Sequence, residues 1–129
     1  MSNKTLLTIH SVIYAIFAIA LFFLAEFMWP LYGVEINDKY ALFLSQHNSI
    51  FLGGIAVIGF LFLGSTDNNE MIQKLLTGLM WTNIFGLIIT LYMSVTGIFS
   101  GFGWSDPAFF ALLSGLLFNQ IKKNKTSPE

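Results

Sequence analysis

Thirty-one consecutive residues, 75–105, carry no formal charge, and similar uncharged runs occupy 6–25, 40–66 and 107–121. Runs this long and apolar must be hidden from water on every side. A chain of 129 residues cannot bury four of them inside a polar shell of its own. Only 10% of the residues are charged, against about 25% in soluble domains, and the mean hydropathy is +0.71. The bilayer is the solvent that fits. A hydrocarbon core about 30 Å thick takes roughly 20 helical residues, which the first three runs supply. The fourth, at 15 residues, is short enough to thin the membrane locally, with a re-entrant helix as the alternative.

Absences narrow the chemistry. There is no cysteine, which excludes disulfides, thiol catalysis, thiolate zinc and iron–sulfur clusters. Net charge is −1 and arginine is missing, so nucleic acid is not an expected partner. Transmembrane strands would alternate over roughly ten residues, and no such segments occur. The expected fold is all-α: one integral membrane four-helix bundle over 1–129. Its helices are expected at approximately 6–27, 39–63, 69–98 and 107–122, with a disordered tail at 123–129. The first run is longer than a signal-peptide core and lacks an A-x-A site, so it is expected to stay as the first helix. Asp38 can cap the second helix, the Asp67-Asn68-Asn69-Glu70 run has capping-box spacing, and Asp106-Pro107 suits the start of the fourth.

Lysines set the expected orientation. Four spans bring both termini and the loop at 67–74 to one face, which collects Lys4, Lys74, Lys122, Lys123 and Lys125. The opposite face has Lys39 alone. The positive-inside rule then puts both termini in the cytoplasm, N-in/C-in. Trp29, Tyr32, Tyr40 and Trp104 would form an aromatic belt at the outer boundary.

In lipid, helices associate through close packing of small residues and interhelical hydrogen bonds. Gly78, Thr82, Gly86, Thr90 and Ser94 follow at strict four-residue spacing and are expected to form a packing ridge on the third helix. The second helix offers Ser45, Ser49 and Gly53, and the first Ser11 and Ala15.

Two polar groups of residues are candidates for function. Toward the inner side, His10 and Tyr14 share a face of the first helix. Thr82 and Asn83 on the third lie at similar depth, as do Asn119 and Gln120 on the fourth. Toward the outer side are Glu26, Gln46, His47, Asn48 and Tyr92. If the first helix continued unbroken, Glu26 would project about 20° from Ala15, on the small-residue face. Glu26 and His47 are therefore the expected pair. His10 and His47 are about 20 Å apart along the bundle axis at 1.5 Å per residue, too far to share a metal or a haem. No nucleophile–base arrangement, phosphate loop or HExxH motif is present. Catalytic residues and metal ligands are not expected.

The run Trp29-Pro30-Leu31-Tyr32-Gly33-Val34, then Tyr40-Ala41-Leu42-Phe43-Leu44 and Gly53-Gly54, resembles the small four-helix bacterial membrane proteins of the DoxX-like kind, many of them uncharacterised. Where that kind commonly has an arginine early in the second helix, this chain has Gln46 and His47. The resemblance implies a four-helix architecture in a bacterial inner membrane and no defined reaction. The expected function is non-enzymatic: binding an apolar small molecule, or serving as an accessory subunit of a membrane assembly. Alternatives are a quinone-linked or proton-coupled activity at Glu26 and His47, or a small dimeric transporter. No resident cofactor is expected, quinone and lipid being the nearest candidates. Expected partners are the lipid bilayer and a further copy of the chain or a larger membrane complex.

Overall fold

A computed structural model describes residues 1–126. The described residues are helical with no strand: α1 Asn3–Phe23, α2 Ala25–Leu31, α3 Lys39–Leu61, α4 Asn69–Val95 and α5 Ser105–Thr126. Short 3₁₀ turns follow α3 at Phe62–Ser65 and precede α5 at Gly101–Trp104. Side-chain caps start three helices. Ser2 Oγ accepts from Thr5 N at 3.0 Å, Asp38 Oδ1 from Tyr40 N and Ala41 N at 2.9 and 2.8 Å, and Asn68 Oδ1 from Met71 N at 3.0 Å. The α4 cap is thus Asn68, one residue past Asp67.

Three helices are long and apolar enough to cross a membrane: Asn3–Phe23, Lys39–Ser65 and Asn69–Val95. Their outward faces carry large apolar side chains, among them Ile16, Ile19, Leu61, Phe85, Ile88 and Val95, all exposed. That inverted distribution suits an acyl-chain environment. The fourth run is extended at both ends. Ser105 and Asp106 precede it and 122–126 continue it, making α5 22 residues, about 33 Å at 1.5 Å per residue. The tail expected at 123–129 is corrected accordingly over its first four residues. Asn124 Nδ2 donates to Asn3 Oδ1 at 2.9 Å and to Gln73 Oε1 at 3.2 Å, which holds this last turn of α5 against its neighbours. Residues 127–129 lie outside the described residues.

The first helix is corrected too. It does not run through 6–27 but breaks at Leu24, whose φ −117° and ψ 19° leave the helical range. A break in an apolar layer strands carbonyls that have no helical partner. Here α3 meets two of them: Ser45 Oγ donates to Leu21 O at 2.9 Å and Gln46 Nε2 to Phe22 O at 3.3 Å. Trp29 Nε1, carried by α2, then donates to Ser45 Oγ at 2.8 Å.

The helices form two antiparallel pairs, α1 with α3 and α4 with α5, each packed far more closely within itself than against the other. The buried faces follow alternating four- and three-residue steps: Leu7, Ser11, Tyr14, Leu21 on α1; Ser45, Ser49, Ala56, Gly59 on α3; Ile72, Leu76, Leu79, Asn83, Thr90 on α4; Leu113, Leu117, Gln120 on α5. Each gap of seven is one such step left to a partly buried residue. That is heptad spacing, which keeps a face in line with a neighbour.

The expected α4 ridge is revised on the same ground. At 100° per residue, a four-residue step drifts about 40° around the helix, so five such positions cannot all face one partner. Gly78 is exposed with open space beside it, and Thr82 Oγ1 donates to Gly78 O at 3.0 Å within α4. Thr90 and Ser94 are buried, and Gly86 lies against the Phe110 ring, where an added Cβ would be 2.6 Å from ring carbon. Only the part of the row from Gly86 to Ser94 packs.

The pairs meet in a core of Leu6, Leu7, Ile72, Leu76, Leu79, Leu117 and Ile121 at the end carrying both termini. Gln120 Nε2 donates to Asn3 Oδ1 at 2.8 Å and Gln73 Nε2 to Ile121 O at 3.0 Å beside it. Farther along, Tyr14, Ala56 and Leu113 form a second buried cluster between the pairs.

Candidate functional site

Between the two pairs lies a partly open cavity of about 380 Å³. α1 contributes Tyr14, Phe17 and Leu21, and α2 contributes Met28 and Trp29. Asn48, Phe51 and Leu52 come from α3, and Gly86, Ile89, Thr90 and Met93 from α4. Phe109, Phe110 and Asp106 of α5, with Tyr32 and Phe99 of the connections, complete the wall. On the α4 wall, Gly86 lets the Phe110 ring of α5 lie directly against the helix.

Hydrogen-bonded groups border the cavity toward both ends of the bundle. Below it, Asn83 is fully buried and joins both pairs. Its Oδ1 accepts from Tyr14 Oη at 2.9 Å, while its Nδ2 donates to Leu79 O at 2.8 Å and lies 2.9 Å from His10 Nε2. With both amide protons so used, His10 Nε2 is the acceptor and the neutral ring carries its proton on Nδ1. The His10 and Tyr14 rings stack with centroids 4.4 Å apart. His10 Nδ1 is buried without a hydrogen-bond partner.

Above it, Tyr32 Oη donates to Asp106 Oδ1 at 2.9 Å. Tyr32 is 4% exposed, so it does not belong to the interfacial belt expected of it; Tyr40 and Trp104 are exposed at 67% and 50%. The Tyr32 ring meets Trp29 and Phe99 edge-on at 5.5 and 5.6 Å. Ser100 N donates to Tyr32 O at 2.8 Å, clasping the two connections at this end of the bundle together. Gly33, with φ 79°, makes the turn beside this clasp, and a Cβ there would run into the Ser100 side chain. Burial, then the neighbouring Asp106 carboxylate, push the Tyr32 phenol up to about 12. Burial also raises Asp106 above the usual carboxylate range, and the hydrogen bond from Tyr32 opposes that rise.

The inner group comes together in part. His10, Tyr14 and Asn83 form one bonded set, whereas Thr82 bonds within its own helix and Asn119 is exposed. Gln120 serves the terminal contact with Asn3.

The outer five do not gather into one site, and the expected Glu26–His47 pairing is corrected. Both residues are exposed and no hydrogen bond or ion pair joins them; the His47 ring lies on Phe43 at 4.6 Å instead. The reason is the break at Leu24. Angles counted from Ser11 and Ala15 cease to apply once α1 has ended, and Glu26 belongs to α2. Gln46 serves a freed carbonyl, Tyr92 is exposed, and only Asn48 of the five lines the cavity. Asp106 and Tyr32 were missed as a site because the sequence marks one as a helix cap and the other as a belt residue. Nothing in their spacing, 74 residues apart, links them. Among the described residues no group of three or more His, Asp and Glu gathers as a metal site.

No family model, no curated protein and no solved structure matches the chain.

Proposed function

We propose that the chain is a four-span membrane protein of the cytoplasmic membrane, with both termini inside, that binds an apolar small molecule between its helix pairs. The cavity carries this reading. At about 380 Å³ it falls in the range of ligand sites, roughly 300–1,000 Å³, and like them it has mostly apolar walls and few polar groups. The rival activity built on Glu26 and His47 lacks a shared site, since those side chains stay apart. The remaining apolar surface suits contact with acyl chains.

Binding is tested with the purified protein in detergent and the neutral fluorescent probe 1-N-phenylnaphthylamine. Saturable enhancement is expected. Met93→Trp, which fills the cavity from α4, is expected to weaken it at least about tenfold, the equivalent of about 1.4 kcal/mol. Unsaturable binding, or equal binding by the variant, would refute the cavity as a ligand site.

Orientation is tested separately, helped by the lack of native cysteine. Single substitutions Ile36→Cys, Asn69→Cys and Thr126→Cys are exposed to an impermeant thiol reagent on intact cells. Ile36→Cys alone is expected to react, in line with the lysine distribution. Reaction at the other two positions, with Ile36→Cys protected, would reverse the topology.

A further inference from the structure

The polar groups around the cavity are one-sided in their chemistry. Four lining side chains carry a hydroxyl or indole donor, and each donor is already used within the protein. Tyr14 Oη donates to Asn83 Oδ1 at 2.9 Å, Trp29 Nε1 to Ser45 Oγ at 2.8 Å, Tyr32 Oη to Asp106 Oδ1 at 2.9 Å and Thr90 Oγ1 to Gly86 O at 2.7 Å. A hydroxyl that donates still has lone pairs to accept with. The tyrosine oxygens and the Asp106 carboxylate therefore offer a ligand acceptors, and Asn48 is the one lining side chain with amide donors free of hydrogen bonds within the fold.

Charge points the same way. Asp106 is the only formally charged residue on the lining among the described residues. It sits in the first turn of α5, a helix of 22 residues, where the positive end of the helix dipole favours a carboxylate. Trp29 and Phe99 pack on Tyr32, the residue bonded to Asp106, and Phe109 and Phe110 line the cavity from the same helix as Asp106; aromatic faces attract cations. A quinone, by contrast, brings only carbonyl acceptors to a wall whose one side chain with free donors is Asn48.

From this chemistry we infer that the cavity selects a lipophilic ammonium ion, its apolar body among the aromatic rings and its N–H groups directed to the Asp106 carboxylate. The inference rests on the apolar-ligand reading above and narrows it to a cationic, donor-bearing class.

The test uses the full-length protein with 1-N-phenylnaphthylamine bound and three competitors: 4-phenylbutylammonium, its neutral carbon isostere pentylbenzene, and a short-tailed benzoquinone. Affinities are corrected for partition of each competitor into empty micelles. Charge-assisted hydrogen bonds are worth about 1.5–3 kcal/mol, so the ammonium ion is expected to compete at least about tenfold better than pentylbenzene. Asp106→Asn keeps the size of the side chain and an oxygen that can accept from Tyr32 Oη, and is expected to bring that ratio to about one. Should that variant fail to fold, the native protein still decides, because the quinone must compete at least about tenfold less well than the ammonium ion. A native ratio near one, an undiminished ratio in Asp106→Asn, or a quinone matching the ammonium ion would each overturn the inference. Displacement by pentylbenzene without any ammonium preference removes the cation alone. Probe binding that ignores Met93→Trp removes the cavity reading beneath it.

Discussion

Gly59→Leu is expected to destabilise the protein by about 1–3 kcal/mol or more, the cost of overpacking a closed interface. Gly54→Leu, on the same helix, is expected to change stability by less than about 0.5 kcal/mol. Gly59 is buried in α3 directly beneath Ser11 of α1. A Cβ added there would collide with Ser11 Oγ and come within 3.5 Å of Leu7 Cδ1. Neither neighbour has room to withdraw, since Leu7 and Ser11 are themselves fully buried. Gly54 is exposed and has nothing within 4 Å of the added carbon, and leucine has the better helix propensity. The two variants make the same chemical change in one helix. Reversible unfolding in mixed micelles measures the difference. Equal stabilities would mean that α1 and α3 do not meet along this face.

Asn83→Leu is expected to cost about 2–4 kcal/mol. It strips the partner from Tyr14 Oη and His10 Nε2, both buried, at about 1–3 kcal/mol for each polar group left unmatched. Membrane settings temper such losses, with measured interhelical bonds averaging about 0.6 kcal/mol, which places the expectation below the upper sum. Tyr14→Phe removes one stranded hydroxyl in advance, so the double variant should be more stable than the separate losses predict. A loss under about 0.5 kcal/mol for Asn83→Leu, or strict additivity in the double variant, would show that this set does not join the helix pairs. His10→Leu in the same cycle reports the second arm of the network.

Much of the fold was legible because the bilayer imposes so strong a demand. Long uncharged runs admit helices, and capping residues such as Asp38 mark where they begin. The small residues Ser11, Ser45 and Ser49 were readable as packing positions, and they are buried. Faces were harder to read than spans. The row Gly78–Thr82–Gly86–Thr90–Ser94 stands out because every member is small, yet the surface that packs recurs at alternating four- and three-residue steps and includes the large residues Ile72, Leu76 and Leu79. In a membrane both faces of a helix are apolar, so hydrophobicity cannot tell the buried side from the lipid side. Leu24 shows the other limit. It is an ordinary leucine in an apolar run, and nothing local announces that the helix stops there. Every angular argument past it, the placing of Glu26 above all, inherits that error. The His10–Tyr14–Asn83 set was partly visible because polar residues in lipid-depth helices are few and must find one another. Asp106 and Tyr32 were not, because their meeting depends on where two connections happen to cross.

The pairing of helices also bears on how the chain comes to be built. Both strongly packed interfaces join segments close together in sequence: α1 with α3 across 24–38, which holds α2, and α4 with α5 across 96–104. Each can therefore close as a helical hairpin while the rest of the chain is still being made, with only a short connection to order. The seam between the hairpins is different. It needs Tyr14 to find Asn83 and Asn3 to find Asn124, partners 69 and 121 residues apart, so it forms last. The cavity lies on that late seam. It is a space left between two separately finished halves, bounded by the polar groups that register one half against the other.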